Sequence, residues 1–228
     1  MIRLVAFDAD DTLWHNESLF ILSQEKFRNL LLNYHSRQWI DRKLFETEIR
    51  NLAHFGYGIK GFTLSMIETA IELSEGRVSG REIGLLLDIC KEMLAAPIEL
   101  LEGVEATVRR LARSYQLILI TKGDLFDQES KLARSGLGDC FSQVDVVSEK
   151  TRATYERVIA RHGIRPEELV MVGNSVRSDI LPALAAGARA VHIPYHVTWA
   201  HEEAETPPQS GAIELASIEL LEETIAGL

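Results

Sequence analysis

The first apolar run, Ile2 to Phe7, stops abruptly at Asp8 and reads as a short buried parallel strand. From about Glu17 to Ala96 the spacing becomes helical. Leu19, Leu22, Phe27, Leu30, Leu31 and Tyr34 recur every three or four residues. Phe45, Ile49 and Leu52 repeat that interval, and so do Met66, Ile67, Ala70, Ile71 and Leu73. A capping box, Ser79-Gly80-Arg81-Glu82, opens a last segment carrying Ile83, Leu86, Leu87, Cys90, Met93 and Leu94, which Pro97 closes. The pattern predicts four helices and no strand.

Beyond Pro97 strands and helices alternate. A helix over Val104–Ala112 leads into a strand over Gln116–Thr121, and Leu125–Ser135 is helical up to Gly136. Val144–Val147 reads as a strand, and Tyr155, Val158, Ile159 and His162 mark a helix ended by Gly163. A strand over Leu169–Val172, a helix around Asp179–Ala186 and a strand over Ala190–Ile193 follow. Such alternation predicts right-handed crossovers and a parallel sheet, to which the first strand belongs. The expected fold is α/β: a Rossmann-like core flanked by helices (1–14 and 97–228) with an inserted helical-bundle cap (15–96). Glu202–Gly211, with Pro207 and Pro208, reads as a surface excursion before a final helix.

Composition narrows the partners. With 24 Lys+Arg against 34 Asp+Glu the formal charge is −10, which opposes nucleic acid and anionic membranes. No stretch approaches 18 uncharged apolar residues, and the first residues lack a signal-peptide pattern. Cys90 and Cys140 are too few for a disulfide framework and lack metal-ligand spacing, so a cytoplasmic location is expected. Nothing in the pattern sets the oligomeric state.

Ligands of open parallel sheets bind at the carboxyl ends of the strands, and four of these ends carry chemistry. They are Asp8-Ala9-Asp10-Asp11-Thr12, Thr121-Lys122-Gly123-Asp124, Ser148-Glu149-Lys150, and Gly173-Asn174-Ser175 with Arg177 and Asp179. Several carboxylates converging on one edge repel one another, and a divalent cation resolves that repulsion. Oxygen donors without a His or Cys cluster point to magnesium rather than zinc.

At these residues the sequence resembles the haloacid dehalogenase superfamily of hydrolases, in the order Asp8-x-Asp10-x-Thr12-Leu13, Thr121, Lys150, and Gly173-Asn174 with Asp179. The helical insertion resembles the mobile cap of one subgroup. The resemblance implies a magnesium-dependent phosphatase that hydrolyses a small phosphorylated metabolite through an aspartyl-phosphate. Asp8 would be the nucleophile and Asp10 the general acid and base. Asp8, Asp10 (through its backbone carbonyl) and Asp179 would hold the metal, and Thr121 and Lys150 would bind the phosphoryl group. Lys122 and Gly123 are further candidate phosphate contacts, although a solvated surface position competes for Lys122 and Arg177.

Two departures stand out. Thr151 follows Lys150 where the family usually has proline, which leaves open a surface position for Lys150. Asn174 stands where many members carry an acid, leaving it a metal or outer-sphere role and weaker magnesium binding. For specificity, Trp14 and His15 are expected to line the cleft. The segment His54–Lys60, between the second and third cap helices, offers His54, Phe55 and Tyr57 to the leaving group. Trp199, His201 and Glu202 read as structural. Two other functions compete: a dehalogenase working without metal, against which Asp10 argues, and a non-enzymatic phospho-aspartate signalling module, against which the long insertion argues. Phosphoglycolate, nucleoside monophosphates, sugar phosphates and phosphorylated amino acids are not distinguished.

Overall fold

The computed structural model describes residues 1–204 and 211–228. Strand β1 (Leu4–Phe7) is followed by helices α1 (Glu17–Leu31), α2 (Arg37–Phe55), α3 (Ile59–Leu73) and α4 (Gly80–Ala95). Then come α5 (Val104–Leu111), β2 (Gln116–Lys122), α6 (Leu125–Ser135), β3 (Gln143–Val147), α7 (Arg152–His162) and β4 (Leu169–Gly173). The chain ends with α8 (Leu181–Ala185), β5 (Arg189–His192), β6 (Ile213–Glu214) and α9 (Leu221–Ala226).

Two compact units result. Met1–Glu17, Ile98–Lys122 and Gln128–Leu228 form one; Ser18–Pro97 and Gly123–Asp127 form the other. In the first, the sheet runs β3-β2-β1-β4-β5-β6 with every neighbouring pair parallel. Alternate side chains of each strand point to opposite faces. Val5, Phe7, Leu119 and Val172 join Val108 of α5 and Leu221 of α9 on one side. Leu4, Ala6, Ile120 and Met171 join Tyr155 of α7 and Ala183 of α8 on the other. Both faces of β1 are therefore covered, which explains its unbroken apolar run. Phe7 pairs with Leu119 and with Val172, and the Asp8 N–H donates to the Val172 carbonyl, so Asp8 leaves the sheet level with Gly173.

The second unit packs its helices around Phe27, Leu31, Leu44, Phe62, Met66 and Leu86. Its capping box forms as expected, with Ser79 accepting from the Glu82 N–H and Glu82 from the Ser79 N–H. Leu22, Phe45, Ile71 and Leu87, counted in the apolar spacing, are exposed instead. Consecutive helical residues lie about 100° apart, so only one of the pairs Ala70/Ile71 and Leu86/Leu87 can face the interior.

Two expectations are corrected, and one strand, β6, was not expected. Helix α2 runs through His54 and Phe55, and α3 starts at Ile59, so only 56–58 connect them. Around Asp179 the chain forms a π-helical turn, Val176–Ile180, before the short α8; the Ser175 carbonyl takes the Asp179 and Ile180 N–H groups there. Strand β6, two residues long, is too brief to show alternation. The expected excursion at Pro207 and Pro208 lies outside the described residues. No helix among those described is long and apolar enough to cross a membrane.

Candidate active site

Four strand ends of the sheet-bearing unit place their polar residues as follows. From β1, Asp8 enters a tight turn in which the Thr12 and Leu13 N–H groups both return to the Ala9 carbonyl. Asp11 adopts a left-handed backbone (φ 62°) and its carboxylate accepts from the Asn16 N–H at 2.8 Å and the Glu17 N–H at 3.0 Å. Asp11 thus shapes the turn, although burial still pushes its carboxyl up to about 6. Thr12 donates its hydroxyl to Asp8 Oδ2 at 2.9 Å and accepts from the Asn174 N–H at 3.1 Å, tying the β1 and β4 turns together.

Lys150 is buried, which excludes the surface position. Thr151, where proline was expected, accepts from the Thr154 N–H with its side chain and caps α7. The Lys150 ammonium donates to Asp8 Oδ1 and, at 2.7 Å, to Asp179 Oδ1. Asp179 Oδ2 accepts from the Ser175 N–H at 3.0 Å. Gly173 is obligatory beside it: a Cβ there would lie 2.2 Å from Asp179 Oδ2.

Two buried carboxylates share one ammonium, so negative charge is left over. Burial pushes the Asp8 carboxyl up to about 7; Lys150 opposes the rise and Asp179 adds to it. Burial would lower the Lys150 pKa, but the charges of Asp179 and Asp8 outweigh it and raise the value. This surplus suits a hard cation. The donors are all oxygens, from Asp8, Asp179 and the neighbouring Asn174 amide, which fits magnesium. Among the described residues no three His, Cys, Asp or Glu side chains gather as a metal cluster.

The Asp10 carboxylate is committed elsewhere. Oδ1 accepts from the Trp14 indole N–H at 2.7 Å and from Lys131 Nζ at 3.1 Å, and Oδ2 accepts from Gln128 Nε2 at 2.8 Å. Trp14 is fully buried and does not line an opening, contrary to expectation, because its indole is enclosed by core residues and serves Asp10. His15 is half-buried, its Nδ1 2.7 Å from the Tyr195 hydroxyl. Thr121 is buried with its hydroxyl donating to the Lys122 carbonyl at 3.2 Å. Lys122 is not a solvated surface lysine: it pairs with Glu202 and donates to Ser178 Oγ at 3.0 Å. Gly123 has φ 125°, a conformation suited to glycine. In the helical unit His54 and Phe55 are exposed and Tyr57 is half-buried.

Sequence reasoning missed Gln128 and Lys131 as partners of Asp10, Ser178 and Glu202 as partners of Lys122, and Ser175 as a partner of Glu202. Gln128 and Lys131 lie three apart on α6 and so share a helix face, a signal that could have marked them. Glu202 lies far along the chain from its partners and leaves no such mark.

A family model described as haloacid dehalogenase-like hydrolase matches residues 2–187. The chain belongs to the haloacid dehalogenase-like hydrolases. A crystal structure of a haloacid dehalogenase-like family hydrolase from Xanthomonas campestris is 41% identical, covers 99% of this chain and 91% of that one, and has a TM-score of 0.89. Among curated relatives, glyceraldehyde 3-phosphate phosphatase of Methanothermobacter thermautotrophicus is 27% identical, covering 89% of this chain and 90% of that protein. N-acylneuraminate-9-phosphatase of Homo sapiens is 24% identical over 93% of this chain and 88% of its own length. In this haloacid dehalogenase-like hydrolase Asp8 and Asp179 meet at Lys150, and the Asp10 carboxylate is held by Trp14, Gln128 and Lys131.

Proposed function

We propose that this hydrolase is a magnesium-dependent phosphomonoesterase acting on a small phosphorylated metabolite through an aspartyl-phosphate. The observation that carries the reading is the pairing of a buried Asp8 against Lys150 with a second, independently anchored acid two residues on. The phosphatase relatives support the same reading.

Asp8 attacks phosphorus, forming a P–O bond while the ester P–O bond breaks. Lys150 holds the attacking carboxylate in place and places its charge beside the phosphoryl oxygens. Asp10 gives its proton to the departing alcohol oxygen and later takes one from the water that cleaves the aspartyl-phosphate. Its bonds from Trp14, Gln128 and Lys131 stabilise the carboxylate between those transfers. Thr121, with the backbone N–H groups of Lys122 and Gly123, receives the phosphoryl oxygens. Asp8, Asp179 and the Asp10 backbone carbonyl would hold magnesium, with Asn174 a further candidate. When bound, magnesium supplies positive charge that offsets repulsion between the phosphate and Asp8. Leaving-group selection is assigned to His15 and to His54, Phe55 and Tyr57. A cytoplasmic location fits the free thiols of Cys90 and Cys140.

Phosphate release across a panel of phosphorylated metabolites, with and without magnesium, tests the proposal. The expected outcome is metal-dependent release that Asp8→Asn abolishes. Chloride release from 2-chloropropionate without phosphatase activity would instead establish a dehalogenase. A phosphoprotein lasting minutes without turnover would establish a signalling module.

A further inference from the structure

Glu202 stands at the centre of a cluster of side chains, from Lys122, Ser175 and Ser178, that the mechanism above does not use. Its carboxylate pairs with Lys122, and Oε2 accepts from Ser175 Oγ at 2.7 Å and Ser178 Oγ at 2.5 Å. Arg177 donates to the backbone carbonyl of His201, so the Ala200–Glu202 turn is tied to this segment a second time. Ser178 also receives Lys122 directly, at 3.0 Å.

Topology makes the cluster a bridge. Lys122 ends β2 and the two serines follow β4, while β1 lies between those strands in the sheet. Adjacent strands lie about 4.8 Å apart, so β2 and β4 are about 10 Å apart and a long side chain must span the end of β1. Burial works against ionisation of Glu202, but Lys122 and the two hydroxyls hold its carboxyl down at about 2. Glu202 therefore stays ionised throughout the ordinary pH range.

The far end of the cluster reaches the reacting groups. Ser178 immediately precedes Asp179, and the Ser175 N–H donates to Asp179 Oδ2. Asp179 in turn shares Lys150 with Asp8. We infer that Glu202 is a positioning residue: it locks Lys122 and the Ser175–Ser178 turn across the carboxyl end of β1 and so fixes where Asp179 meets Lys150. The inference rests on the phosphomonoesterase reading for its effect on turnover.

The test uses p-nitrophenyl phosphate with magnesium, well below each variant's melting temperature. Glu202→Ala lowers kcat about 10- to 100-fold, the usual cost of losing an outer-sphere partner. Glu202→Gln, which keeps the shape and an acceptor for the serines, recovers part of that loss. Lys122→Ala combined with Glu202→Ala costs no more than Glu202→Ala alone, because the two act as one unit. Independently of turnover, amide hydrogen exchange over 175–180 accelerates in Glu202→Ala. A kcat within twofold of wild type, multiplicative losses in the double variant, or unchanged exchange would each overturn the inference. A wild type that releases no phosphate while the exchange still accelerates overturns the functional reading and leaves the bridge standing.

Discussion

The indole N–H of Trp14 donates to Asp10 Oδ1 at 2.7 Å, four residues along one turn. A fully buried tryptophan needs a partner for its only polar atom, and Asp10 supplies it. The bond also fixes the carboxylate that the proposed chemistry uses as acid and base. Trp14→Phe keeps the apolar packing and removes the donor. kcat for a phosphomonoester is expected to fall about 10-fold, as for other outer-sphere partners, with inhibition by inorganic phosphate unchanged. Steady-state kinetics with phosphate as inhibitor separate the two effects.

Lys150 and Asp8 oppose each other in stability. Lys150→Met leaves Asp8 and Asp179 facing one another in the interior, which costs about 3–5 kcal/mol at pH 8. Asp8→Asn acts in the other direction. The folded-state pKa of Asp8, about 7, lies above its unfolded value, so folding loses stability as pH rises through the folded value. Removing that charge raises the melting temperature at pH 8 more than at pH 5, while turnover falls about 10³-fold or more. Calorimetry at the two pH values checks both signs.

Most of the sheet was legible because β1, β2 and β4 are buried on both faces and read as apolar runs ending in polar residues. The acidic strand ends were legible for the same reason: an apolar run that stops at Asp8 marks where the buried strand gives way to its polar turn. What escaped was contact between residues distant in sequence. Asp10 meets Gln128 and Lys131 across more than 100 residues, and Lys122 meets Glu202 across 80. Trp14 was misplaced because an aromatic beside a catalytic turn reads equally as cleft wall or core; only its indole bond to Asp10 decides. Lys122 was misplaced because a lysine's partner is invisible in its own neighbourhood.

Magnesium binding should depend on pH through Asp8. Below about 7 the Asp8 carboxyl is protonated in the metal-free protein, and the cation must displace that proton. The rise in melting temperature on adding magnesium is therefore larger at pH 8 than at pH 5.5. Asp179→Asn should abolish most of it at both values, since one of the two buried carboxylates is then gone. Thermal unfolding with and without the metal, at the two pH values, reads the difference. An equal shift at both values would show that Asp8 does not contribute.

The helical unit carries its own titration, far along the chain from the strand ends. Glu48, half-buried on α2, is pushed up to about 7 by burial alone. Its folded pKa exceeds the unfolded one, so the protonated form favours the fold, and that contribution is lost as pH rises through about 7. Glu48→Gln mimics the neutral form at every pH. It should leave stability unchanged near pH 4 and raise it by about 1–3 kcal/mol at pH 8, the upper end being reduced by residual contact with water. Denaturant unfolding monitored at Trp39, which lies on the same helix, follows this unit. Equal stability of variant and wild type at pH 8 would mean that Glu48 ionises at an ordinary pKa and is hydrated in the folded state.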